Sequence, residues 1–346
     1  MSEHIWVRAE QRGFEKRVGI TPHGVKTLMD AGFRVTVERS DHRIIPIEAY
    51  QATDCEIAAA NTWSEAPKEA WIFGLKELPE DNSDLPHRHI MFGHAYKGQS
   101  GAEAFLSRFT RAGGALYDLE YLTSAEGRRV AAFGYWAGFA GAAVGVLHWI
   151  AQQRGETVKQ VPTFPSREPL VAHLQLELAA LNQRPNAIVI GALGRVGSGA
   201  RALFESLQID CTAWDMAETA SGGPFTEILQ HSIFVNCILA NAGVPVFVSA
   251  DMADSKRELS VIADVSCDPS SAYNPIPLYD SAHSFESPSV RVRQHPVLDI
   301  TAIDNLPSML PLESSEDFAA QLLPHLQILP DGEVWQRALD TFHQFS

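Results

Sequence analysis

Two ionisable side chains directly follow apolar runs in the first third of the chain. Lys76 comes after the run WIFGL, and His94 comes after IMFG. A lysine beside apolar surface has its pKa lowered by desolvation, which makes the amine usable as a general base. Histidine titrates near neutral pH and can act as an acid or as a base. A solvated lysine past a strand end and a structural histidine fit the same pattern, so position alone predicts a candidate site and no reaction.

Further charged residues lie at or just beyond candidate strand ends in the same part of the chain. They are Arg17, Glu77, Lys97, Glu120, Arg128 and Arg129. The carboxyl ends of parallel strands line the ligand crevice in open α/β sheets, so we expect these residues to border a common site. Glu77 and Glu120 would favour the charged form of a nearby lysine, whereas burial would disfavour it. His87 and His89 lie in the polar stretch DNSDLPHRH, and we expect both to be solvated.

A glycine-rich turn between a strand and a helix is the strongest local motif. The sequence AIVI predicts a buried strand over 187–190, and four glycines follow it: Gly191, Gly194, Gly197 and Gly199. Glycines let the backbone approach a pyrophosphate, and the N-terminus of the following helix supplies N–H donors. Asp215, at the end of the next strand, can accept hydrogen bonds from the adenosine ribose. A carboxylate there repels a 2′-phosphate, so the pattern favours NAD over NADP.

The glycine spacing by itself is a weak signal. It is GxxGxxG rather than the commoner GxGxxG, and a flexible turn would show the same residues. The flanking strand, the helix and Asp215 favour the cofactor interpretation. Arg195, in the first turn of the helix, either reaches phosphate or is solvated, and the sequence leaves both open.

Two α/β domains are needed to position these residues. Candidate strands over 4–8, 34–38, 70–76, 90–94 and 115–119 alternate with helical patterns, and a second alternating series runs over 187–265. Strands separated by helices predict parallel sheets. We therefore predict a substrate and catalytic domain over 1–133 plus 325–346, and an NAD-binding domain over 134–324. Both are predicted to be Rossmann-like.

Composition narrows the classes of partner. The chain has 346 residues, of which 45% are hydrophobic and 20% charged, as in globular proteins. Its formal charge of −15 argues against nucleic acid, although local Arg and Lys residues can still bind a small anion. None of the four cysteines forms a CxxC pair, so no metal site is predicted and a reducing cytoplasm is expected.

One segment has the length of a membrane span. Residues 130–153 contain no Asp, Glu, Lys or Arg. The segment is rich in Gly and Ala and contains His148, so we interpret 136–153 as a buried helix and expect no membrane partner. The N-terminal residues MSEHIWVRAEQRG lack the apolar region of a signal peptide.

A series of segments between about residue 7 and residue 330 resembles the NAD-dependent, lysine-forming saccharopine dehydrogenases. In chain order they are RAE, KRVGITP, GLKELPE, HAYKGQSG, LYDLEYL, GRRVAAFGYWAGFAGAAVGV, GALGRVGSGA, WDMAETASGGPF, NPIPLYD and IDNLPSMLP. More distantly, RVGITP and the two-domain plan resemble alanine dehydrogenases and the NAD-binding subunit of transhydrogenase. The resemblance implies an active-site cleft between two Rossmann-like α/β domains, in a monomer.

The resemblance also implies a reaction and roles in it. Members of this family oxidise the secondary amine of saccharopine to an imine, which water splits into lysine and 2-oxoglutarate. By resemblance, Lys76 accepts a proton from the amine, and His94 is the acid–base group in hydration and collapse of the imine. Glu77 and Glu120 match acids that tune charge and hold the amine. Arg17, Lys97 and Arg129 match basic residues suited to the three substrate carboxylates.

The second domain is the one predicted to bind NAD. By resemblance, Asp215 contacts the ribose, and Asp304 with Leu306 lines the nicotinamide side. The remaining cofactor-binding positions are Gly191, Gly194, Arg195, Val196, Gly197, Thr219 and Cys237. Val196 stands where some members have a cysteine that pairs with the one matched by Cys237, so that disulfide cannot form here. Leu312 stands where a basic residue is common.

Other functions remain compatible with the sequence. One is an alanine-dehydrogenase-like enzyme acting on a small primary amine, and another is an opine-type amino-acid dehydrogenase. A non-catalytic NAD-binding module that senses redox state is a candidate of another class. The presence of both Lys76 and His94 within matching motifs argues against that module.

Overall fold

The computed structural model describes residues 2–79, 81–239 and 241–346, which divide into two compact units. Unit 1 comprises Met1–Ala132 and Pro311–Ser346, and unit 2 comprises Phe133–Leu310. The first boundary lies beside the predicted one. The second lies at 310/311 rather than at 324/325, so that prediction was wrong. A helix begins at Pro311, and Ser315 in its first turns accepts a hydrogen bond from the Val18 amide of unit 1.

Strands and helices alternate along most of the chain. The strands are β1 (His4–Val7), β2 (Arg34–Glu38), β3 (Glu56–Ala58), β4 (Trp71–Phe73), β5 (Arg88–Met91), β6 (Ala115–Asp118), β7 (Ala187–Ile190), β8 (Cys211–Trp214), β9 (Ile233–Asn236), β10 (Val261–Asp264), β11 (Val290–Gln294) and β12 (Val297–Thr301). The helices are α1 (Pro22–Asp30), α2 (Ile47–Gln51), α3 (Ala102–Ala112), α4 (Gly134–Gln153), α5 (Arg167–Ala179), α6 (Arg195–Ser206), α7 (Met216–Thr219), α8 (Ala250–Asp254), α9 (Pro311–Leu326) and α10 (Glu333–Phe345).

The sheet of unit 1 is entirely parallel, in the order β3-β2-β1-β4-β5-β6. The predicted α/β fold is therefore confirmed for this unit. Because the strands are parallel, the loops that follow β1, β4, β5 and β6 leave from the same edge of the sheet. Those loops carry Lys76, Glu77, His94 and Glu120, so the topology brings the predicted site residues of this unit to one edge.

The predicted solvation of His87 and His89 was wrong. Both side chains are buried, because β5 begins at Arg88 and its alternation turns His89 into the core. The His89 ring meets the rings of Trp63 and Phe109 edge-on, with centroids 5.2 and 5.4 Å away. Burial lowers the pKa of His89 well below its ordinary value, so this histidine is neutral and structural.

The sheet of unit 2 has the order β11-β12-β10-β9-β7-β8, with β11 antiparallel to its neighbour and the other pairs parallel. The uncharged helix α4 lies in the hydrophobic core of this unit, which confirms the prediction of a buried helix. Its small residues allow a close approach to α6, the helix that follows the glycine turn. Within the described parts of the chain, no helix is long and apolar enough to cross a membrane.

Candidate active site

The main chain at Lys76 is held by two side chains from the loop after β1. The Glu10 carboxylate accepts hydrogen bonds from the backbone amides of Leu75 (2.6 Å) and Lys76 (3.0 Å). The buried Arg8 guanidinium donates to the Lys76 carbonyl. The sequence analysis missed both residues as parts of the site. Their position just past the end of β1, the strand next to β4, is the signal that identifies them.

His94 lies beside the carboxylate of Glu77. The His94 Nε2 and Glu77 Oε1 atoms are 3.4 Å apart, and Arg12 Nη2 lies 2.9 Å from Glu77 Oε2. Glu77 thus connects the imidazole to a guanidinium that the sequence analysis did not include. A carboxylate in this position orients the ring.

A cavity of about 730 Å³ opens in unit 1 next to these groups. It is lined by His94 and Glu77, together with Arg12, Gln99 and Arg108. The His94 side chain is 45% exposed, so its imidazole remains accessible to a small molecule. The lining combines an imidazole with two ion pairs, Arg12 with Glu77 and Arg108 with Asp81.

Glu120 is the centre of a second charged group in the same unit. Its Oε1 atom lies 2.7 Å from Lys97 Nζ and also contacts Arg129 Nη2. Burial raises the pKa of Glu120, but the hydrogen bond from Lys97 and the charge of Arg129 outweigh burial and hold the pKa below its ordinary value. Glu120 is therefore a carboxylate at neutral pH, and three of the predicted substrate-binding residues meet here.

Arg17 makes a buried, bidentate ion pair with Glu15. The Nε–Oε1 and Nη2–Oε2 distances are 2.8 and 2.7 Å. Burial raises the pKa of Glu15, but the hydrogen bonds and charge of Arg17 outweigh it and lower that pKa overall. The guanidinium fork that we predicted for a substrate carboxylate thus faces Glu15. Substrate binding by Arg17 stays a prediction.

In unit 2, the glycine turn lies between β7 and α6 as predicted. Gly191 has φ +86°, a conformation that favours glycine. A Cβ on Gly197 would lie 2.1 Å from the Gly191 carbonyl oxygen, so the first turn of α6 tolerates no side chain there. Gly194 occupies the N-cap without a side chain to bind the amides of that turn. These amides suit a pyrophosphate group, which accepts such N–H donors.

Asp215 adjoins this turn from the end of β8. Its Oδ2 atom accepts a hydrogen bond from the Leu193 amide at 2.8 Å, and its Oδ1 atom accepts one from Met216 at 2.9 Å. Asp215 caps α7, and the Thr219 hydroxyl donates to the Asp215 carbonyl at 2.9 Å. Asp215 therefore lies at the glycine turn, and its contact with a ribose stays a prediction.

The other predicted cofactor residues of unit 2 differ in their surroundings. The Cys237 amide donates to the Ile190 carbonyl at 2.9 Å, which places Cys237 beside the start of the turn. Val196 is half-buried and Arg195 is exposed in the first turn of α6. Leu306 is buried against Gly141 of α4, whereas Asp304 is exposed. Cys237 is a free cysteine, and burial raises the pKa of its thiol.

Comparisons with known proteins match both units. Residues 6–140 match the family described as alanine dehydrogenase/PNT, N-terminal domain. Among solved structures, an L-alanine dehydrogenase has a TM-score of 0.69 at 17% identity, covering 99% of this chain and 94% of that one. The transhydrogenase from Sinorhizobium meliloti has a TM-score of 0.64 at 16% identity, covering 97% of each chain. These two likenesses show the fold.

Sequence relatives are more specific. The chain is 43% identical to saccharopine dehydrogenase [NAD(+), L-lysine-forming] of Candida albicans, over 98% of this chain and 96% of the relative. It is 45% identical to the protein of the same name in Schizosaccharomyces pombe, over 98% and 97%. With this identity over nearly its whole length, the chain belongs to the NAD-dependent, lysine-forming saccharopine dehydrogenase family.

Proposed function

We propose that this protein oxidises saccharopine with NAD to L-lysine and 2-oxoglutarate and also catalyses the reverse condensation. The observation that carries the proposal is the 43–45% identity to lysine-forming relatives over nearly the full chain. The loops that follow the neighbouring parallel strands β4 and β5 supply Lys76 and His94, the two groups that the chemistry needs.

NAD, when bound, takes up the hydride that leaves the substrate carbon. Unit 2 suits this dinucleotide because glycine at positions 191, 194 and 197 keeps side chains off the turn before α6, whose amides can face a pyrophosphate. Asp215 would accept hydrogen bonds from the ribose hydroxyls. The remaining proposed contacts are Arg195, Val196, Thr219, Cys237, Asp304 and Leu306.

Lys76 accepts the proton of the substrate's secondary amine as the carbon–hydrogen bond breaks and the carbon–nitrogen double bond forms. Glu10 and Arg8 fix the main chain from which the Lys76 side chain extends. A general base needs a fixed position as well as a suitable pKa, so these contacts support the assignment. A substitution at Glu10 should therefore lower turnover by displacing Lys76.

His94 takes a proton from water as the oxygen adds to the imine carbon. It then gives that proton to the nitrogen and, as the carbon–nitrogen bond breaks, takes the proton of the new hydroxyl while the carbonyl forms, which releases lysine and 2-oxoglutarate. Both steps pass a proton through one imidazole, and the neighbouring Glu77 orients the ring for both. The half-exposed ring is accessible to the water that the reaction consumes.

Lys97 and Arg129 are the proposed anchors for substrate carboxylates. Their side chains are 58% and 45% exposed, and both contact the single carboxylate of Glu120. An ammonium has three N–H donors and a guanidinium has five, so one shared carboxylate does not use them all. Arg17 is the third proposed anchor for a substrate carboxylate, and its guanidinium is paired with Glu15.

The direct test is the formation of NADH by the purified protein with different amines. We expect turnover with saccharopine, release of lysine and 2-oxoglutarate, and little turnover with L-alanine or with opines built on other amino acids. A His94→Gln variant prepared in the same way controls for contaminating activity. Binding of NAD without turnover of any amine would identify a redox-sensing module instead. Preference for alanine would identify an alanine-dehydrogenase-like enzyme.

We further propose a monomer that works in a reducing cytoplasm. Burial raises the pKa of each of the four free thiols, Cys55, Cys211, Cys237 and Cys267, which fits thiols without redox chemistry. Sedimentation equilibrium at several protein concentrations tests the monomer. A mass that rises with concentration would contradict it.

A further inference from the structure

The carboxylate of Asp118 joins two loops that carry proposed site residues. Asp118 is the last residue of β6, and its side chain is buried. Its Oδ2 atom accepts a hydrogen bond from the Gly93 amide at 3.1 Å, and its Oδ1 atom accepts one from the Glu120 amide at 2.8 Å. Gly93 directly precedes His94, and Glu120 holds Lys97 and Arg129. One side chain therefore ties the histidine loop to the carboxylate-binding loop.

The loop at His94 has a backbone conformation that needs outside support. The φ angle of His94 is 49°, in the left-handed region that residues with a side chain rarely adopt. The preceding residue is also constrained, because a Cβ on Gly93 would lie 2.6 Å from Leu116 Cδ2 and 3.2 Å from Asp118 Oδ2. Only glycine lets the loop pass close enough to β6 for its amide to reach Asp118.

Several titratable groups surround the Asp118 carboxylate. His94 and Glu120 act on it from the two loops, and its charge acts on the hydroxyls of Tyr96 and Tyr121. Burial raises the pKa of Asp118 to about 6, although the hydrogen bonds from the two amides lower it. At pH 7 and above, Asp118 is therefore mainly ionised. An ionised carboxylate only accepts hydrogen bonds, as its two N–H donors require.

We propose that Asp118 is a positioning residue that holds the main chain of His94 in the geometry needed for proton transfer during imine hydrolysis. This inference rests on the role of His94 in the proposed function. In this role the side chain of Asp118 acts through the backbone amides of Gly93 and Glu120 rather than on the reacting atoms. Displacement of a catalytic group by about 1 Å can lower a rate about 100-fold, so a loosened loop has a measurable effect.

The test is Asp118→Asn. An amide of the same shape accepts from one backbone N–H but turns its own NH₂ toward the other, so one of the two loops is released. We expect turnover of saccharopine to fall by about 10- to 100-fold, with the KM for NAD changed less than about 2-fold. Unchanged turnover in a folded Asp118→Asn protein would overturn the inference.

A double-mutant cycle with His94→Gln separates positioning from a general structural role. If Asp118 acts through His94, Asp118→Asn should have almost no further effect in the His94→Gln background. Full additivity of the two losses would overturn the inference while leaving the proposed role of His94 intact. Near-normal turnover of His94→Gln alone would instead remove His94 from the proposed function, and Asp118 as its positioning residue with it.

A matched control is Asp299→Asn in unit 2. Asp299 is also a buried carboxylate, paired with Arg291 at 2.8 Å, but it lies near the amino end of the parallel strands. Its loss should leave turnover and both KM values unchanged.

Hydrogen exchange provides a test that needs no variant. The Gly93 and Glu120 amides should exchange slowly in the wild-type protein, although both lie in loops. Rapid exchange of both amides would overturn the inference.

Discussion

Helices α4 and α6 approach each other at two glycines, and this contact allows a quantitative prediction for Gly199→Ala. A Cβ on Gly199 would lie 1.8 Å from the Tyr135 carbonyl oxygen, and one on Gly138 would lie 1.8 Å from that of Val196. An ordinary carbon–oxygen contact is about 3.3 Å, so a methyl group at Gly199 must move the helices apart by roughly 1.5 Å. Both partners are backbone atoms and cannot rotate away.

The expected cost follows from this overlap. Overpacking a well-packed core costs about 1–3 kcal/mol, and the rigid partners place this case near the upper end. Alanine has a better helix propensity than glycine, which offsets at most about 1 kcal/mol of this cost. We therefore expect Gly199→Ala to lower the free energy of unfolding by about 2 kcal/mol. Because α6 also carries the proposed pyrophosphate site at its N-terminus, we expect the Kd for NAD to rise about tenfold.

Urea unfolding and NAD titration measure the two effects. Gly134→Ala, in the first turn of α4, is the matched control. Its Cβ would lie 3.3 Å from Val196 Cγ2 and 3.4 Å from Arg195 Cδ, which are atoms of flexible side chains. The control should stay within about 0.5 kcal/mol of the wild type or gain stability. Equal unfolding midpoints for Gly199→Ala and Gly134→Ala would refute the close helix contact.

Three further predictions concern the site. Lys76→Met should lower turnover by roughly 10²–10⁴-fold while saccharopine binding is kept, as measured by initial rates and calorimetry; near-normal turnover would remove Lys76 from the mechanism. Asp215→Ala should weaken NAD more than NADP in parallel titrations, and an equal loss would place the ribose contact elsewhere. Glu15→Gln should be less stable than the wild type at pH 7, because the pKa of Glu15 is lowered in the folded state and its ionised form stabilises the protein. That difference should shrink as the pH falls below about 4.5 and through the folded-state pKa, and a difference independent of pH would contradict it.

Strand patterning predicted the two sheets and the loops that carry the site, but it extended two strands too far. The predicted strand over 70–76 ends at Phe73, and the predicted strand over 90–94 ends at Met91. In each case the first amide beyond the strand still donates to a backbone carbonyl, and a carboxylate from a neighbouring strand end accepts from the amide after it. Glu10 binds the amides of Leu75 and Lys76, and Asp118 binds the amide of Gly93. Apolar periodicity contains no information about these side chain to backbone bonds.

The glycine turn was predictable because its determinants are local. Strand, glycines, helix and the following acid all fall between 187 and 215, and each has its own sequence signal. The partners of Arg17 and Glu77 were not predictable in this way. Arg12 and Glu15 lie in a loop without periodicity, and ion pairs within such a loop depend on its conformation. One member of each pair, Arg17 and Glu77, was therefore identified, but its partner was not.

At strand ends in both units, carboxylate side chains accept hydrogen bonds from nearby backbone amides. Such carboxylates help to locate functional sites in a sequence. Glu10, Glu38 and Asp118 in unit 1 and Asp215 in unit 2 each accept at least one backbone N–H from a neighbouring loop. Glu38 and Asp118 are buried, and burying a carboxylate is costly unless several donors satisfy it, so these two acids fix the backbone that they bind. An acid at or just past the end of a parallel strand is thus a better indicator of a fixed loop than a lysine or histidine in that loop, because a solvated lysine or histidine needs no such partner.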